Sequence, residues 1–258
     1  MFSYHQDLHD YLPVGFATRQ WLLDQGMPVH TLDNALKSGK LVSLARGVVS
    51  HPRLANEPWD LGDVVASLNR ELPEPVYVGG LAALSRAGLA HYASFNKREQ
   101  LYSPLRMPAW FARMAISQNY VWHGTARLWD NAWLQNENHF RTFDFPWDGL
   151  KALATPEQAW LEVLAQVPNG ISFEHADNLM QGLSVLSPRR LDALLRVCRH
   201  VLAKRLFFFF ADRYDYPWRK HLNAADYDLG AGKRSVEAGG KLDKTYLITV
   251  PESLHGSA

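Results

Sequence analysis

The sequence has little cysteine, no long apolar run and almost no net charge. Cys198 is the single cysteine among 258 residues. This excludes an intramolecular disulfide and a cysteine-rich metal site, and it indicates a reducing compartment. No apolar run reaches the ~20 residues of a membrane span, and the opening residues lack the basic and apolar segments of a secretory signal. We therefore expect a cytoplasmic protein with no membrane partner.

The formal net charge of +1 excludes a wholly basic, histone-like DNA binder, but the charge is unevenly distributed. Residues 11–54 carry five basic and two acidic side chains, and residues 186–221 carry nine basic and three acidic ones. The rest of the chain is therefore acidic on balance, and two basic zones in a chain of nearly zero net charge indicate two separate contact surfaces.

The first basic zone has the pattern of two helices followed by a hairpin. Thr18 is a typical N-cap for a first helix, and Gly26 and Gly39 are typical stops for the first and second. In the second helix, Val29, Leu32 and Leu36 recur at helical spacing, which predicts a buried stripe. The segment LVSLARGVVS then predicts a hairpin that turns at Ala45, Arg46 and Gly47. This order is typical of a winged helix-turn-helix.

A winged helix-turn-helix favours DNA binding, with the second helix in the major groove. Asn34 suits adenine, Lys37 suits guanine, and Arg46 at the hairpin tip suits phosphates or the minor groove. Asp33 on the same helix would repel phosphate. The alternative is a protein-interaction module that uses the winged fold as a scaffold without a DNA role. The residues that we expect to contact DNA are Thr18, Arg19, Gln20, His30, Thr31, Asn34, Lys37 and Arg46.

The rest of the chain predicts an α+β protein. A polar stretch near residues 93–100 suggests a boundary, which divides the chain into a domain over residues 1–94 and a second one over residues 95–258. Strand-like runs rich in tryptophan follow the boundary, and helices with clear start signals come after them at Thr155, Ser172 and Ser187. The expected C-terminal domain is therefore mixed α/β with a helical bundle.

No stretch forms a convincing catalytic, cofactor or metal site. GAGKRS at residues 230–235 resembles part of a phosphate loop, but Tyr227 and Arg234 stand where glycine and serine or threonine are required, which favours a solvated basic loop. His5 and His9 lack the glutamate of a zincin. VGG at residues 78–80 suits either an anion at a helix N-terminus or close backbone packing. We therefore expect no enzymatic activity and no cofactor.

Several stretches, in the same order along the chain, resemble the AbiEi-type antitoxins, the transcriptional regulators of type IV toxin–antitoxin systems. They are SGKLVSLARGVV, VYVGGLAALSRAGLAHY, MPAWF, TPEQAWLEVLAQVP, SFEHADNLMQGLSVLSP, AKRLFFFF and the tail LGAGKRSVEAGGKLDKTYLITVP. The resemblance implies a non-enzymatic protein with two functions. Its N-terminal domain represses its own operon by binding promoter DNA, and its C-terminal domain counters a cognate AbiEii-type nucleotidyltransferase toxin, with or without direct contact.

The implied antitoxin surface would use the cations of the second basic zone and the tail, since such toxins carry acidic metal-binding sites. This chain departs from the family pattern in its reading helix, which is less basic and carries His30 and Asp33. The residues that we expect on the antitoxin surface are Arg189, Arg196, Arg199, Lys233, Arg234, Lys241 and Lys244.

Overall fold

The computed structural model describes residue 12 and residues 15–52, 59–90, 98–143 and 149–255. The expected helix over residues 3–11 and the pair His5 and His9 lie outside the described residues. Within the described ranges, no helix combines the length and apolar character needed to span a bilayer.

The N-terminal elements follow the predicted order of two helices and a hairpin. A three-stranded antiparallel sheet has the order β1-β3-β2. The Thr18 side chain caps the first helix by accepting from the Trp21 N–H, and Gly26 and Gly39 adopt φ angles of 92° and 72° just after the two helices. The elements are β1 (Phe16–Thr18), α1 (Arg19–Asp24), α2 (Val29–Lys37), β2 (Val42–Ala45) and β3 (Val48–Ser50).

The small sheet separates two hydrophobic cores because its side chains alternate between faces. Ala17 and Val49 pack with Leu32 in a small core beneath α1 and α2, whereas Phe16 and Val48 belong to the main core. The expectation that Val29 is buried was wrong, since 56% of it is exposed. Val29 is the first residue of α2 and lies a turn before the part of the helix that packs on the small core.

A five-stranded mixed sheet occupies the middle of the chain, with the order β6-β5-β4-β8-β7. Its central strand β4 pairs antiparallel with β5 (Tyr77 opposite Tyr102) and parallel with β8 (Val78 opposite Leu153). A division at residues 94–95 therefore separates β4 from both of its neighbours. The elements are α3 (Leu61–Glu71), β4 (Tyr77–Val78), α4 (Gly80–Arg86), β5 (Glu99–Ser103), α5 (Ala109–Ala112), β6 (Tyr120–Gly124), α6 (Asn131–Leu134), β7 (Phe140–Thr142) and β8 (Lys151–Ala154).

Four helices and a hairpin complete the C-terminal part, so the chain is α+β as expected. Thr155, Ser172 and Ser187 cap three of the helices, as their start signals predict. All four phenylalanines of residues 207–210 are buried, because the helix that carries them is enclosed by the main core. The elements are α7 (Pro156–Leu164), α8 (Phe173–Met180), α9 (Pro188–Val197), α10 (Val201–Ala211), β9 (Lys241–Asp243) and β10 (Ile248–Val250).

Short 3₁₀ turns link several of these elements. They are Ala115–Asn119, Glu137–His139, Pro217–His221, Ala224–Asp226 and Glu252–Leu254.

A buried carboxylate on α7 joins this helix to the turn between β4 and α4. Glu162 is fully buried, and its Oε2 accepts from the Gly80 N–H at 2.8 Å. Its Oε1 accepts from the Tyr77 hydroxyl at 2.7 Å, the Gln158 amide at 3.0 Å and the Trp129 indole N–H at 3.2 Å. The N-terminus of α4 thus holds an anion that belongs to the protein itself.

The glycines of this turn are required by the close approach of the carboxylate. A Cβ on residue 79 would lie 2.2 Å from Glu162 Oε2, and a Cβ on residue 80 would lie 2.5 Å from the Tyr102 hydroxyl. Gly80 also has a φ of 54°, which disfavours other residues. Both interpretations of VGG therefore apply, close packing and an anion at a helix start.

Burial raises the pKa of Glu162 to about 7, although its four hydrogen-bond donors favour the charged form. The folded state therefore binds a proton more tightly than the unfolded state. Its contribution to stability is full below the unfolded pKa of about 4.5 and is lost as the pH rises through 7. This loss amounts to about 3 kcal/mol at most.

We expect Glu162→Gln to abolish this loss, because an amide does not titrate. Urea unfolding from pH 5 to pH 8 should show the wild-type protein losing stability relative to the Glu162→Gln variant. Glu174→Gln, at an exposed position on α8, is the control and should leave the pH dependence unchanged. Parallel pH profiles for the wild type and the Glu162→Gln variant would contradict the expectation.

Candidate nucleic-acid interface and basic surface

The outer face of α2 is the first candidate site. His30, Asn34 and Lys37 are exposed at positions i, i+4 and i+7, and so they form one row along the helix. Thr31 is half-buried beside them. The helix begins at Val29 and ends at Lys37, so this row runs along its whole length.

The hairpin places Arg46 near the start of α1. Ala45 pairs with Val48, so Arg46 and Gly47 form a two-residue turn. Gly47 has a φ of 79°, which glycine adopts without strain. Its carbonyl accepts from the Arg19 N–H at 2.9 Å, which fixes the turn against α1. We call the residues His30, Thr31, Asn34, Lys37 and Arg46 the reading surface.

An ion pair beside the reading surface compensates Asp33. Arg19 Nη2 lies 2.8 Å from Asp33 Oδ1, and both side chains are partly exposed. The negative charge on α2 is therefore balanced, and Arg19 is no longer an independent cation. Lys37, Lys40 and Arg46 carry positive charge here and have no ion-pair partner among the described residues.

Two further expected DNA contacts are engaged within the protein. The Thr18 N–H and hydroxyl donate to the two Glu71 carboxylate oxygens, each at 2.7 Å, and Gln20 donates to Asp24 at 2.8 Å. Burial is the main cause that raises the pKa of Glu71, and the two bonds from Thr18 oppose it. Sequence reasoning missed Glu71 because its partner is 53 residues away.

Arg70 completes this attachment of the first helix to α3. Its guanidinium donates to the Phe16 carbonyl and lies 5.0 Å from the centre of the Trp21 ring. The end of α3 therefore holds both β1 and the start of α1. We call residues 16–50, from β1 to β3, the helix–hairpin unit. It is fixed to the main core at this point.

The seven expected antitoxin residues differ in their pairing. Arg196 pairs with Asp192 at 3.0 Å, and Arg199 pairs with Asp130. Lys241 pairs with Glu252. The remaining four side chains make no hydrogen bond or ion pair with another described residue; they are Arg189, Lys233, Arg234 and Lys244.

Two adjoining cavities bring three of the seven together. Arg199 and Arg234 line one cavity at the start of α10, and Arg196 and Arg199 line the other. Arg189 lies in the first turn of α9, and Lys241 and Lys244 lie on and just after β9.

The glycine-rich tail surrounds a buried cation. The Arg205 guanidinium, 2% exposed, donates to the carbonyls of Leu229, Gly230, Gly232 and Leu247 at 2.6–3.2 Å. A phosphate loop directs its N–H groups inward, whereas this loop directs carbonyls at a cation. The expectation of a solvated loop was therefore incomplete, since the backbone of this loop is anchored while Lys233 and Arg234 stay exposed.

Over the described ranges, no three histidine, cysteine, aspartate or glutamate side chains come together as a metal-binding group. The two carboxylates Asp212 and Asp215 instead pair with Arg219 and Lys220 respectively.

Comparison with solved structures shows a similar fold. No curated protein matches the chain. The crystal structure of the RV2827C protein from Mycobacterium tuberculosis matches with a TM-score of 0.55 and 17% identity over 91% of this chain and 85% of that chain. At this identity, the likeness shows the fold alone.

Two family models match the sequence itself. The model described as "Transcriptional regulator, AbiEi antitoxin N-terminal domain" matches residues 3–95, and the model described as "Transcriptional regulator, AbiEi antitoxin, Type IV TA system" matches residues 96–251. The resemblance found in the sequence is thereby confirmed. The chain belongs to the AbiEi antitoxin and transcriptional regulator family of type IV toxin–antitoxin systems.

Proposed function

We propose that the N-terminal elements form a winged helix-turn-helix that represses the protein's own operon by binding its promoter. Helix α2 enters the major groove, and the turn at Arg46 and Gly47 is the wing. The observation that carries this proposal is the exposed row of His30, Asn34 and Lys37. Asparagine and lysine are side chains that read adenine and guanine edges.

Val29 adds an exposed apolar side chain beside this row, at the start of the helix. It is exposed at the N-terminal end of α2, the end that contacts base edges in helix-turn-helix proteins. A valine there suits the methyl group of a thymine. An exposed valine also suits a protein partner, so a pure interaction module is the competing proposal for this surface.

The C-terminal part, in this proposal, counters a nucleotidyltransferase toxin without catalysing a reaction itself. The supporting feature is a set of cations that have no ion-pair partner among the described residues: Arg189, Lys233, Arg234 and Lys244. An acidic, metal-binding site on such a toxin would be complementary to these charges. Because β4 completes the sheet that residues 98–154 build, we assign residues 59–90 to this part and move the functional division to the segment before residue 59.

Substitutions on the reading surface test DNA binding. We expect Lys37→Ala and Arg46→Ala to weaken binding to all sequences, because each removes a phosphate contact. Asn34→Ala should weaken the free energy of DNA binding by about 1–3 kcal/mol, mainly because recognition of one base pair is lost. Fluorescence anisotropy on the upstream DNA at several salt concentrations measures both effects.

Lys244→Ala is the matched control, since it removes an exposed, unpaired cation from the other end of the chain. Equal losses with Lys244→Ala, or no binding by the folded wild type at low salt, would contradict the DNA role.

The Arg19–Asp33 pair gives a test with the opposite sign. We expect Asp33→Asn to tighten DNA binding, because the change frees Arg19 for a phosphate. The slope of the logarithm of the binding constant against the logarithm of the salt concentration should steepen by about one. Arg19→Gln should weaken binding, because it leaves Asp33 uncompensated. The same anisotropy titrations measure both, and unchanged or weaker binding by Asp33→Asn would contradict the placement of Arg19 and Asp33 beside the DNA.

Charge reversal tests the antitoxin surface. We expect Arg189→Glu, Lys233→Glu and Lys244→Glu together to abolish rescue from the toxin, since like charges would then face its acidic site. None of the three side chains has an ion pair to break with a described residue, so the fold should survive, as circular dichroism would verify. Lys37→Glu with Arg46→Glu is the control and should rescue normally when expression is driven from an independent promoter. Normal rescue by the folded triple variant would refute the proposed surface.

A further inference from the structure

A cavity of about 500 Å³ lies at the start of α10. Three arginines line it, and none of the described residues that line it is a carboxylate. Its polar lining consists of Arg127, Arg199, His200, Arg234 and Ser235. A cavity with this lining is suited to an anion.

Two of the arginines are free to bind a ligand. The side chains of Arg127 and Arg234 make no hydrogen bond or ion pair with any other residue that the structure describes. Both act on His200, whose pKa is lowered first by burial and then by the charges of Arg234 and Arg127. The third, Arg199, shares its charge with the half-exposed Asp130.

The backbone adds donors in the same place. Helix α10 has 11 residues, and His200 Nδ1 accepts from the Ala203 N–H at 3.1 Å. A neutral His200 therefore carries its proton on Nε2, as a further donor. Val201 and Leu202 also line the cavity, and the first N–H groups of a helix have no acceptor within the helix.

A lysine in an adjoining cavity adds positive charge next to this one. Lys204 is 4% exposed and has no hydrogen-bond or ion-pair partner among the described residues. It lines an adjoining cavity of about 710 Å³ that shares Arg199 and also contains Asp130 and Asp228. Its ammonium reaches this second cavity, and so Lys204 adds a positive charge beside the first.

We propose that the start of α10 binds a phosphate group, supplied by a free nucleotide or by an RNA strand, at a site separate from the reading surface. The terminal phosphate of a nucleotide carries up to two charges and three acceptor oxygens, which match two guanidinium groups and the helix N-terminus. A phosphodiester of an RNA strand, like a carboxylate, has one charge and two free oxygens, and so a strand needs a neighbouring phosphate to use the remaining donors. On an RNA strand, the adjacent phosphate would lie toward Lys204.

Calorimetry on the full-length protein at low salt tests this site. The probes are pyrophosphate, ATP, adenosine and a ten-nucleotide single-stranded RNA. RNA binding is measured in a Lys37→Ala, Arg46→Ala background, which removes the cations of the reading surface. We expect pyrophosphate to bind and adenosine not to bind. Tighter binding of ATP than of RNA identifies a nucleotide as the source, and the reverse identifies a strand.

The decisive variant is Arg127→Ala with Arg234→Ala, which removes both free guanidinium groups. We expect it to weaken pyrophosphate binding about tenfold or more, because charge-assisted hydrogen bonds are lost. Arg189→Ala with Lys233→Ala removes two unpaired cations that do not line the cavity and should leave the affinity unchanged. Equal effects of the two double variants, or no binding of pyrophosphate, ATP or RNA by the folded wild type, would overturn the proposal.

Discussion

The buried carboxylate of Glu162 joins helix α7 to strand β4 and helix α4, and the packing of the rest of the structure depends on this interaction. Four donors converge on it, among them the Gly80 N–H at the start of α4 and the Tyr77 hydroxyl on β4. A buried charge of this kind is tolerated only when its hydrogen bonds are satisfied. The glycines that allow this approach, the central strand of the sheet and helix α7 are therefore interdependent.

A second set of contacts joins the N-terminal elements to the main core. The helix–hairpin unit has a small core of its own, and Thr18 and Phe16 attach it to Glu71 and Arg70 at the end of α3. The Phe16 ring also stacks on Phe111 of the main core and contacts the rings of Trp59 and Trp110, which pack against that core. The reading surface thus lies on a unit with its own small core, and this unit is attached to the large core that carries the cations of the C-terminal part.

Local signals in the sequence predicted local structure well. The caps at Thr18 and Thr155 and the stops at Gly26 and Gly39 need only neighbouring residues, and the structure has each of them. The exposed row of α2 follows from helical periodicity alone. Periodicity wrongly predicted that Val29 is buried, because it assigns a residue to a face of the helix but does not say where along the helix the packing stops.

Contacts between distant residues could not be predicted in this way. Thr18 was expected on the DNA, yet its hydroxyl bonds to Glu71, 53 residues on. Arg205 has no acidic neighbour in sequence, and its four acceptors are carbonyls of a tail more than twenty residues away. The polar stretch near residue 95 lies between two paired strands, β4 and β5, and composition does not reveal this pairing.

The most direct test of this account compares two fragments by thermal unfolding. The account predicts that residues 59–258, which retain β4 and the Gly80–Glu162 bond, unfold in one cooperative transition. It predicts that residues 95–258, which lack the central strand and leave Glu162 without two of its four donors, show no cooperative transition. A cooperative transition of residues 95–258 at the same temperature as that of residues 59–258 would contradict the account.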